Sequence, residues 1–180
     1  MRFPDFLRAT VLISAAAASA LGAVTVAGAL HQGDQTLALA AVGWWIVAGA
    51  TGLWLGRRSA VNPAIGRLLA AARTTPTLPD VAPARLLVNR LWPLLVSTFT
   101  AGALAFVLPQ VAGIGGGFAL IWALAWRRQE GAVIAIEDRD GARFWIEPTK
   151  LWEPIRLVRT PGFKATVFEQ PAEPEAVAPS

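Results

Sequence analysis

The chain has 180 residues, of which 54% are hydrophobic and only 16% are charged, with a mean hydropathy of +0.48. A soluble domain is usually about 25% charged. Here the charge is gathered between long uncharged stretches, which is typical of a membrane protein. The sequence contains no cysteine, which excludes disulfide bonds, thiolate chemistry and cysteine-ligated metals.

Four apolar segments are predicted to cross a membrane, because about 20 mostly apolar residues span a bilayer as a helix. These predicted spans are residues 9–30, 36–56, 86–108 and 111–126. Residues 1–56 therefore form a first transmembrane hairpin, closed by the short loop "HQGDQ", and residues 86–128 form a second, closed by "PQ". The predicted fold class is a membrane all-α bundle of four transmembrane helices with a small C-terminal cytoplasmic antiparallel β element.

The first span also fits a secretory signal peptide. A basic start, "MRFPDFLR", precedes an apolar run in which "ASA" and "AGA" resemble cleavage sites. The run is longer than the roughly 7–15 apolar residues of a signal peptide. Its Ala, Ser and Gly residues also suit close helix packing. We treat residues 9–30 as a retained span, with cleavage as the alternative.

The basic residues predict the orientation, because Lys and Arg accumulate in short cytoplasmic loops. Arg2 and Arg8 precede the first span, and the loops "HQGDQ" and "PQ" contain neither Lys nor Arg. The chain is therefore predicted to be a multi-pass protein of the cell (inner) membrane with both termini cytoplasmic. The basic residues predicted to meet anionic inner-leaflet lipid headgroups are Arg57, Arg58, Arg67, Arg73, Arg90, Arg127 and Arg128.

The third span carries the one charged residue predicted to lie within the bilayer region. Arg90 is about one turn inside residues 86–108, from where its long side chain can reach the interface. Pro93 removes a backbone hydrogen bond and is predicted to kink the helix. In an alternative arrangement, residues 84–92 lie in the interface and the span begins at Pro93.

Small residues recur at helical spacing on the second and fourth spans. Ala48, Gly52 and Gly56 are four residues apart, as are Gly113 and Gly117. Such spacing lets helix backbones approach closely. We expect these residues to pack the spans against each other, with a face for another subunit as the alternative.

Two adjacent tryptophans, Trp44 and Trp45, are predicted to lie near the middle of the membrane. A buried indole N–H needs a hydrogen-bond acceptor. Hydroxyl groups on neighbouring spans, for instance Thr98 or Thr100, are the predicted acceptors.

The cytoplasmic loop, residues 57–85, contains a predicted amphipathic helix over residues 63–73. Asn62 is a good N-cap and Pro63 suits the first helical position. Apolar residues follow at helical spacing, so this helix is expected either to lie in the membrane interface or to pack on the C-terminal part of the chain.

The stretch "VIAIEDRDGARFWIEP", residues 133–148, reads as a β-hairpin. A type I′ turn at Asp140-Gly141 would place Asp138 opposite Arg143 and Ile136 opposite Trp145. Residues 129–169 are predicted to form this hairpin or a small sheet, docked on the cytoplasmic ends of the helices. Asp140, Arg143 and Trp145 mark the predicted partner-docking tip, and residues 170–180 are predicted to be a disordered, acidic, Pro-rich tail.

No residue set in the sequence resembles a reaction centre. The chain has one histidine, no tyrosine and no clustered metal ligands, so neither catalysis nor a metal, a cofactor or a nucleic acid is predicted. We expect an integral membrane accessory, scaffold or assembly protein that binds lipid and a protein partner. A small transporter or channel subunit working as an oligomer is the alternative, and it would require a polar cavity between the spans.

Overall fold

A computed structural model describes residues 1–33, 35–57, 60–75, 82–149 and 153–161. Its helices are α1 (Phe3–Gln32), α2 (Gln35–Leu55), α3 (Pro63–Ala70), α4 (Pro83–Leu104), α5 (Pro109–Trp126) and α6 (Gln129–Asp140). Its strands are β1 (Arg73–Thr74), β2 (Ala142–Ile146) and β3 (Leu157–Pro161). The chain is thus mostly helical, with one small sheet.

Three helical segments are long and apolar enough to cross a membrane: Phe3–Gln32, Gln35–Leu55 and the nearly continuous Pro109–Asp140, which combines α5 and α6. This is compatible with a multi-pass membrane protein. The third predicted span, residues 86–108, corresponds to α4, a helix of 22 residues, which is not among the three apolar segments. Arg85, Asn89 and Arg90 lower the apolar character of its first half. Pro93 lies inside α4, and the helix continues through it.

Helix α5 is the centre of the bundle and packs most extensively against α1 and α2. Helix α1 runs antiparallel to α5, because Thr25 of α1 lies beside Gly113 of α5 and Leu21 lies beside Gly116. Each of these glycines lets the neighbouring helix approach closely. Helix α2 runs parallel to α5, since Ala41 of α2 packs on Gly113 and the later Gly52 packs on Leu124.

The bundle has two distinct ends. At the end that we call the basic end, Arg128 Nη1 donates to the carbonyl oxygen of Arg57 at 3.1 Å, which brings the C-terminal ends of α2 and α5 together. The N-terminus of α1 lies at this end as well, where Arg2 contacts Glu137 of α6. At the opposite end, Gly28 of α1 lies against Pro109 at the start of α5.

A folded unit, which we call the cap, closes the basic end. It consists of α3, α6, the sheet and the first turns of α1 and α4. The sheet has the order β1-β3-β2, with β3 antiparallel to β2 and parallel to β1. The N-terminus extends the other edge of β2, because the Ile146 N–H donates to the carbonyl oxygen of Met1 at 3.2 Å. The core of the cap contains Phe3, Phe6, Leu7, Ile65, Leu86, Leu91, Val133, Phe144, Ile146 and Leu157.

The predicted hairpin over residues 133–148 is wrong in its first half. Residues 133–140 belong to helix α6, which ends at Gly141 with φ 60° and ψ 35°. A type I′ turn and a helix C-terminus both require a glycine with positive φ, so the Asp-Gly pair does not distinguish them. Val133 and Glu137, one helical turn apart, are both buried. Strand β2 instead pairs with β3, which places Trp145 opposite Val158 rather than Ile136.

Two further differences concern the cap. The predicted sheet is antiparallel, whereas the observed sheet is mixed because β1, from the loop before α4, pairs parallel to β3. The predicted helix over residues 63–73 ends at Ala70, and Arg73 already belongs to β1. Its N-cap is confirmed, since the Asn62 side chain accepts from the Ala64 N–H at 3.0 Å. The part of the predicted sheet that follows residue 161 and the predicted tail, residues 170–180, lie outside the described residues.

Candidate functional site

A buried carboxylate, Glu137 of α6, joins three separate parts of the chain inside the cap. Its Oε2 accepts from Arg2 Nη2 at 2.6 Å and from Arg143 Nη1 at 3.2 Å, and its Oε1 accepts from the Phe144 N–H at 2.8 Å. The glutamate side chain has no exposed surface, while the two arginine side chains are 34% and 42% exposed. The N-terminus, α6 and β2 are therefore held by one anion.

The geometry of Glu137 is that of a structural ion cluster. Three donors occupy its two oxygens, and the side chain is closed to solvent, so no substrate atom can reach it. Charge-assisted hydrogen bonds of this kind are about twice as strong as neutral ones. Sequence reasoning missed this residue, because the assumed strand over residues 133–139 concealed the helical spacing of Glu137 and Val133.

The three predicted partner-docking residues lie where α6 passes into β2. Asp140 is exposed at the C-terminus of α6, where a hydrogen bond from Arg139 holds the pKa of the Asp140 carboxyl below its usual range. Arg143 and Trp145 alternate with buried residues along β2, so both project from the outer face of the sheet. The Trp145 Nε1–H donates to Thr160 Oγ1 of β3 at 3.1 Å, which fixes the indole against that face.

The predicted headgroup-binding arginines are of two kinds. Most are exposed at the basic end; these are Arg57, Arg67, Arg73, Arg127 and Arg128. Arg58 lies outside the described residues. Arg90 differs, because it is only partly exposed and its Nη1 donates to the carbonyl oxygen of Glu153. Its Nη2 is buried and has no hydrogen-bond partner in the described part of the chain.

The small residues singled out by their spacing lie in helix contacts. Ala48, Gly52 and Gly56 are buried on α2 or directly after it, and Gly113 and Gly117 are buried on α5. A Cβ at Gly56 would lie 2.2 Å from the carbonyl oxygen of Leu124, and a Cβ at Gly117 would lie 2.0 Å from the Trp44 indole nitrogen. Real Cβ atoms do not approach other atoms this closely, so both contacts require glycine.

Trp44 and Trp45 find their acceptors on the backbone of α5. Trp44 Nε1 donates to the carbonyl oxygen of Ile114 at 3.2 Å, and Trp45 Nε1 donates to that of Gly113 at 2.9 Å. The prediction that hydroxyl groups of Thr98 or Thr100 accept these bonds is therefore wrong. Both threonines lie on α4, whereas α2 packs on α5, and a carbonyl oxygen in a helix retains a second lone pair for an indole.

A groove of about 720 Å³ runs between α1, α4 and α5. Its walls are mostly apolar, and two of its hydroxyl groups bind their own helices: Thr10 Oγ1 donates to the Phe6 carbonyl at 2.8 Å and Ser97 Oγ to the Leu94 carbonyl at 3.0 Å. The lining residues include Leu21, Leu91, Pro93, Leu94, Ala101, Ile114, Phe118 and Trp122, with Arg90 as the charged member.

No protein-family model, no curated protein and no solved structure is significantly similar to this chain. Within the described ranges, no three His, Asp or Glu side chains gather in a geometry that would hold a metal ion. Two features therefore remain as candidate sites. They are the outer face of β2 in the cap and the groove between α1, α4 and α5, which we call the lateral groove.

Proposed function

We propose that this protein is an integral membrane accessory or assembly protein of the inner membrane that presents a folded cytoplasmic cap to a protein partner. One observation carries the proposal: Glu137 of α6 holds the cap together, because it binds both Arg2, which directly precedes α1, and Arg143 of β2. A buried, multiply bonded anion holds a surface rigidly in place. A rigid platform fixed to membrane helices is what an assembly protein requires.

Four transmembrane helices fit this arrangement best. Helix α4 has 22 residues, which gives a length of about 33 Å, close to the roughly 30 Å of a bilayer core. Its exposed side includes Val88, Val96 and Phe99, which suit contact with lipid. With α4 inserted, successive spans alternate in direction, and the exposed arginines of the basic end lie on the cytoplasmic side, as the positive-inside rule requires.

The alternative, a small transporter or channel subunit, is less well supported by the helix packing. Transport pathways are lined by ionisable or polar groups. The groove between α1, α4 and α5 is mostly apolar, and hydroxyl groups of Thr10 and Ser97 are bonded to their own helices. Such a groove suits an apolar occupant better than a hydrated ion.

The proposed orientation predicts which positions are accessible from outside the cell. Single cysteines introduced at Gly33 and Gln110 are expected to react with a membrane-impermeant maleimide on intact cells, because both lie at the end opposite the basic end. A cysteine at Asp140 is expected to react only after the membrane is permeabilised. The chain has no cysteine of its own, so only the introduced cysteine can react and no other residue has to be replaced first. Labelling of Asp140→Cys on intact cells would contradict the orientation.

The outer face of β2 is the surface that we propose for the partner. An aromatic residue beside an arginine is a frequent combination at binding hot spots. Trp145 and Arg143 form such a pair on this face, and Asp140 lies at the adjacent end of α6. All three are positioned by bonds within the cap, so binding would require little reordering of side chains.

A photo-crosslinking residue at position 140 tests this surface in native membranes. We expect Asp140 replaced by the crosslinker to yield a discrete adduct of larger mass. The matched control is Ala135, which is also exposed on α6 but lies about 140° around the helix from Asp140, because successive residues turn by about 100°. Equal adducts at positions 135 and 140, or adducts at neither, would contradict partner docking on this face.

A further inference from the structure

The lateral groove between α1, α4 and α5 has the dimensions of one half of a bilayer. Its lining extends from Thr10 to Leu21 along α1, and eleven helical steps correspond to about 16 Å. The hydrocarbon core of one leaflet is about 15 Å thick. A volume of about 720 Å³ is also within the roughly 300–1,000 Å³ of ligand pockets.

The groove has a charged end and an apolar end. Arg90 lines it together with Thr10 and Trp122, the groove residues nearest the basic end, whereas Leu21 and Ile114 line the part deeper in the bundle. Polarity therefore changes along the groove in the same sense as along a lipid molecule, from headgroup to acyl chain. The walls between the two ends are mostly apolar, as an acyl chain requires.

Arg90 has unused capacity to bind an anion. Its Nη1 is bonded to the carbonyl oxygen of Glu153, but its buried Nη2 has no acceptor in the described part of the chain. The Arg90 side chain as a whole is partly exposed, but a buried N–H donor without an acceptor is costly, which favours a turn of the guanidinium toward an anion in the groove. A phosphate group is a suitable acceptor, because a guanidinium can give it two parallel hydrogen bonds.

We infer that this groove binds one acyl chain of an anionic glycerophospholipid, whose phosphate is held by Arg90. At one end of the groove the charge of Arg90 would select an anionic headgroup. The rest of the groove, which is apolar and as long as one leaflet, would hold the acyl chain. The assignment to the cytoplasmic leaflet rests on the proposed orientation, whereas the binding itself does not. A test in detergent solution therefore separates failure of this inference from failure of the proposed function.

The test is lipid retention by the full-length protein in detergent, measured by native mass spectrometry. The probes are dioleoyl phosphatidylglycerol, which is anionic, and dioleoyl phosphatidylcholine, which has the same chains but no net charge. We expect phosphatidylglycerol to be retained preferentially. Arg90→Gln is expected to weaken its retention about tenfold, since a charge-assisted hydrogen bond contributes on that scale. Arg85→Gln, an exposed arginine on the same helix outside the groove, is expected to leave retention unchanged.

A second variant tests the acyl-chain part of the site without touching Arg90. Ser97 is exposed and lines the groove, so Ser97→Phe should fill it and reduce retention, whereas Val96→Phe, on the lipid-facing side of α4, should not. Binding of the headgroup alone would survive Ser97→Phe and would overturn the inference. Equal retention of the two lipids, or equal losses in Arg90→Gln and Arg85→Gln, would overturn it as well.

Discussion

Replacement of Glu137 by glutamine is expected to destabilise the cap by about 2–4 kcal/mol. Glutamine keeps the size of the side chain but removes the charge that Arg2 and Arg143 share. Arg143 would then keep only its contact with the exposed Asp138 carboxylate, and the salt bridge of Arg2 would be lost. Loss of one partner of a fully buried pair costs about 3–5 kcal/mol. We expect a somewhat smaller effect, because the two arginine side chains are 34% and 42% exposed and water screens part of their charge.

Limited proteolysis of the detergent-solubilised protein measures this loss. A change of 2–4 kcal/mol raises the open fraction of the cap by about 30-fold or more, and cleavage follows that fraction when closing is fast. The control is Asp138→Asn. The Asp138 side chain also contacts Arg143, at 3.3 Å, but it is 62% exposed. The substitution should change stability by less than about 1 kcal/mol. A Glu137→Gln variant that resists protease like the parent would show that the cluster does not hold the cap.

The second large effect is expected at Gly56, where α2 ends against α5. An alanine Cβ there would lie 2.2 Å from the carbonyl oxygen of Leu124. That oxygen belongs to the backbone of a helix and cannot rotate away, so the two helices must separate. Overpacking of this kind costs about 1–3 kcal/mol. The loss matters more within a membrane, because lipid-embedded helices associate largely through close van der Waals packing.

Thermal unfolding in detergent, followed by tryptophan fluorescence, checks the Gly56→Ala prediction. The matched control is Gly43→Ala on the same helix, where a Cβ would meet nothing within 4 Å. Alanine is a better helix former than glycine by about 0.8–1.0 kcal/mol in water, so this control should be neutral or slightly stabilising. A lower unfolding temperature in both variants, or in neither, would contradict the packing argument.

The helices were predictable from the sequence because their signals are local. Uninterrupted apolar runs predict α1, α2 and α5, and the Asn62-Pro63 pair predicts the start of α3. Helix α4 is a borderline case. It is a long helix, but two arginines and an asparagine in its first half lower its hydropathy, so it is not a clearly apolar span.

The cap was not predictable in detail, because its structure depends on contacts distant in the sequence. Gly141 has a positive φ in either a hairpin or a helix end, and what decides between them is the burial of Glu137 beneath Arg2, 135 positions away. The pairing of β1 with β3 likewise joins segments separated by three complete helices. The groove was also not foreseen, because an apolar run does not reveal which of its faces meets a neighbouring helix.

The extension of the sheet by the first residues of the chain has a consequence for synthesis. The Met1 carbonyl and the Arg2 side chain bind partners in residues 137–146. Of the helices and strands of the cap, only β3 leaves the ribosome after these residues. At about 5–20 residues per second, the N-terminus waits on the order of ten seconds for the residues that cover it. During that interval Phe3, Phe6 and Leu7 lack the rest of their core.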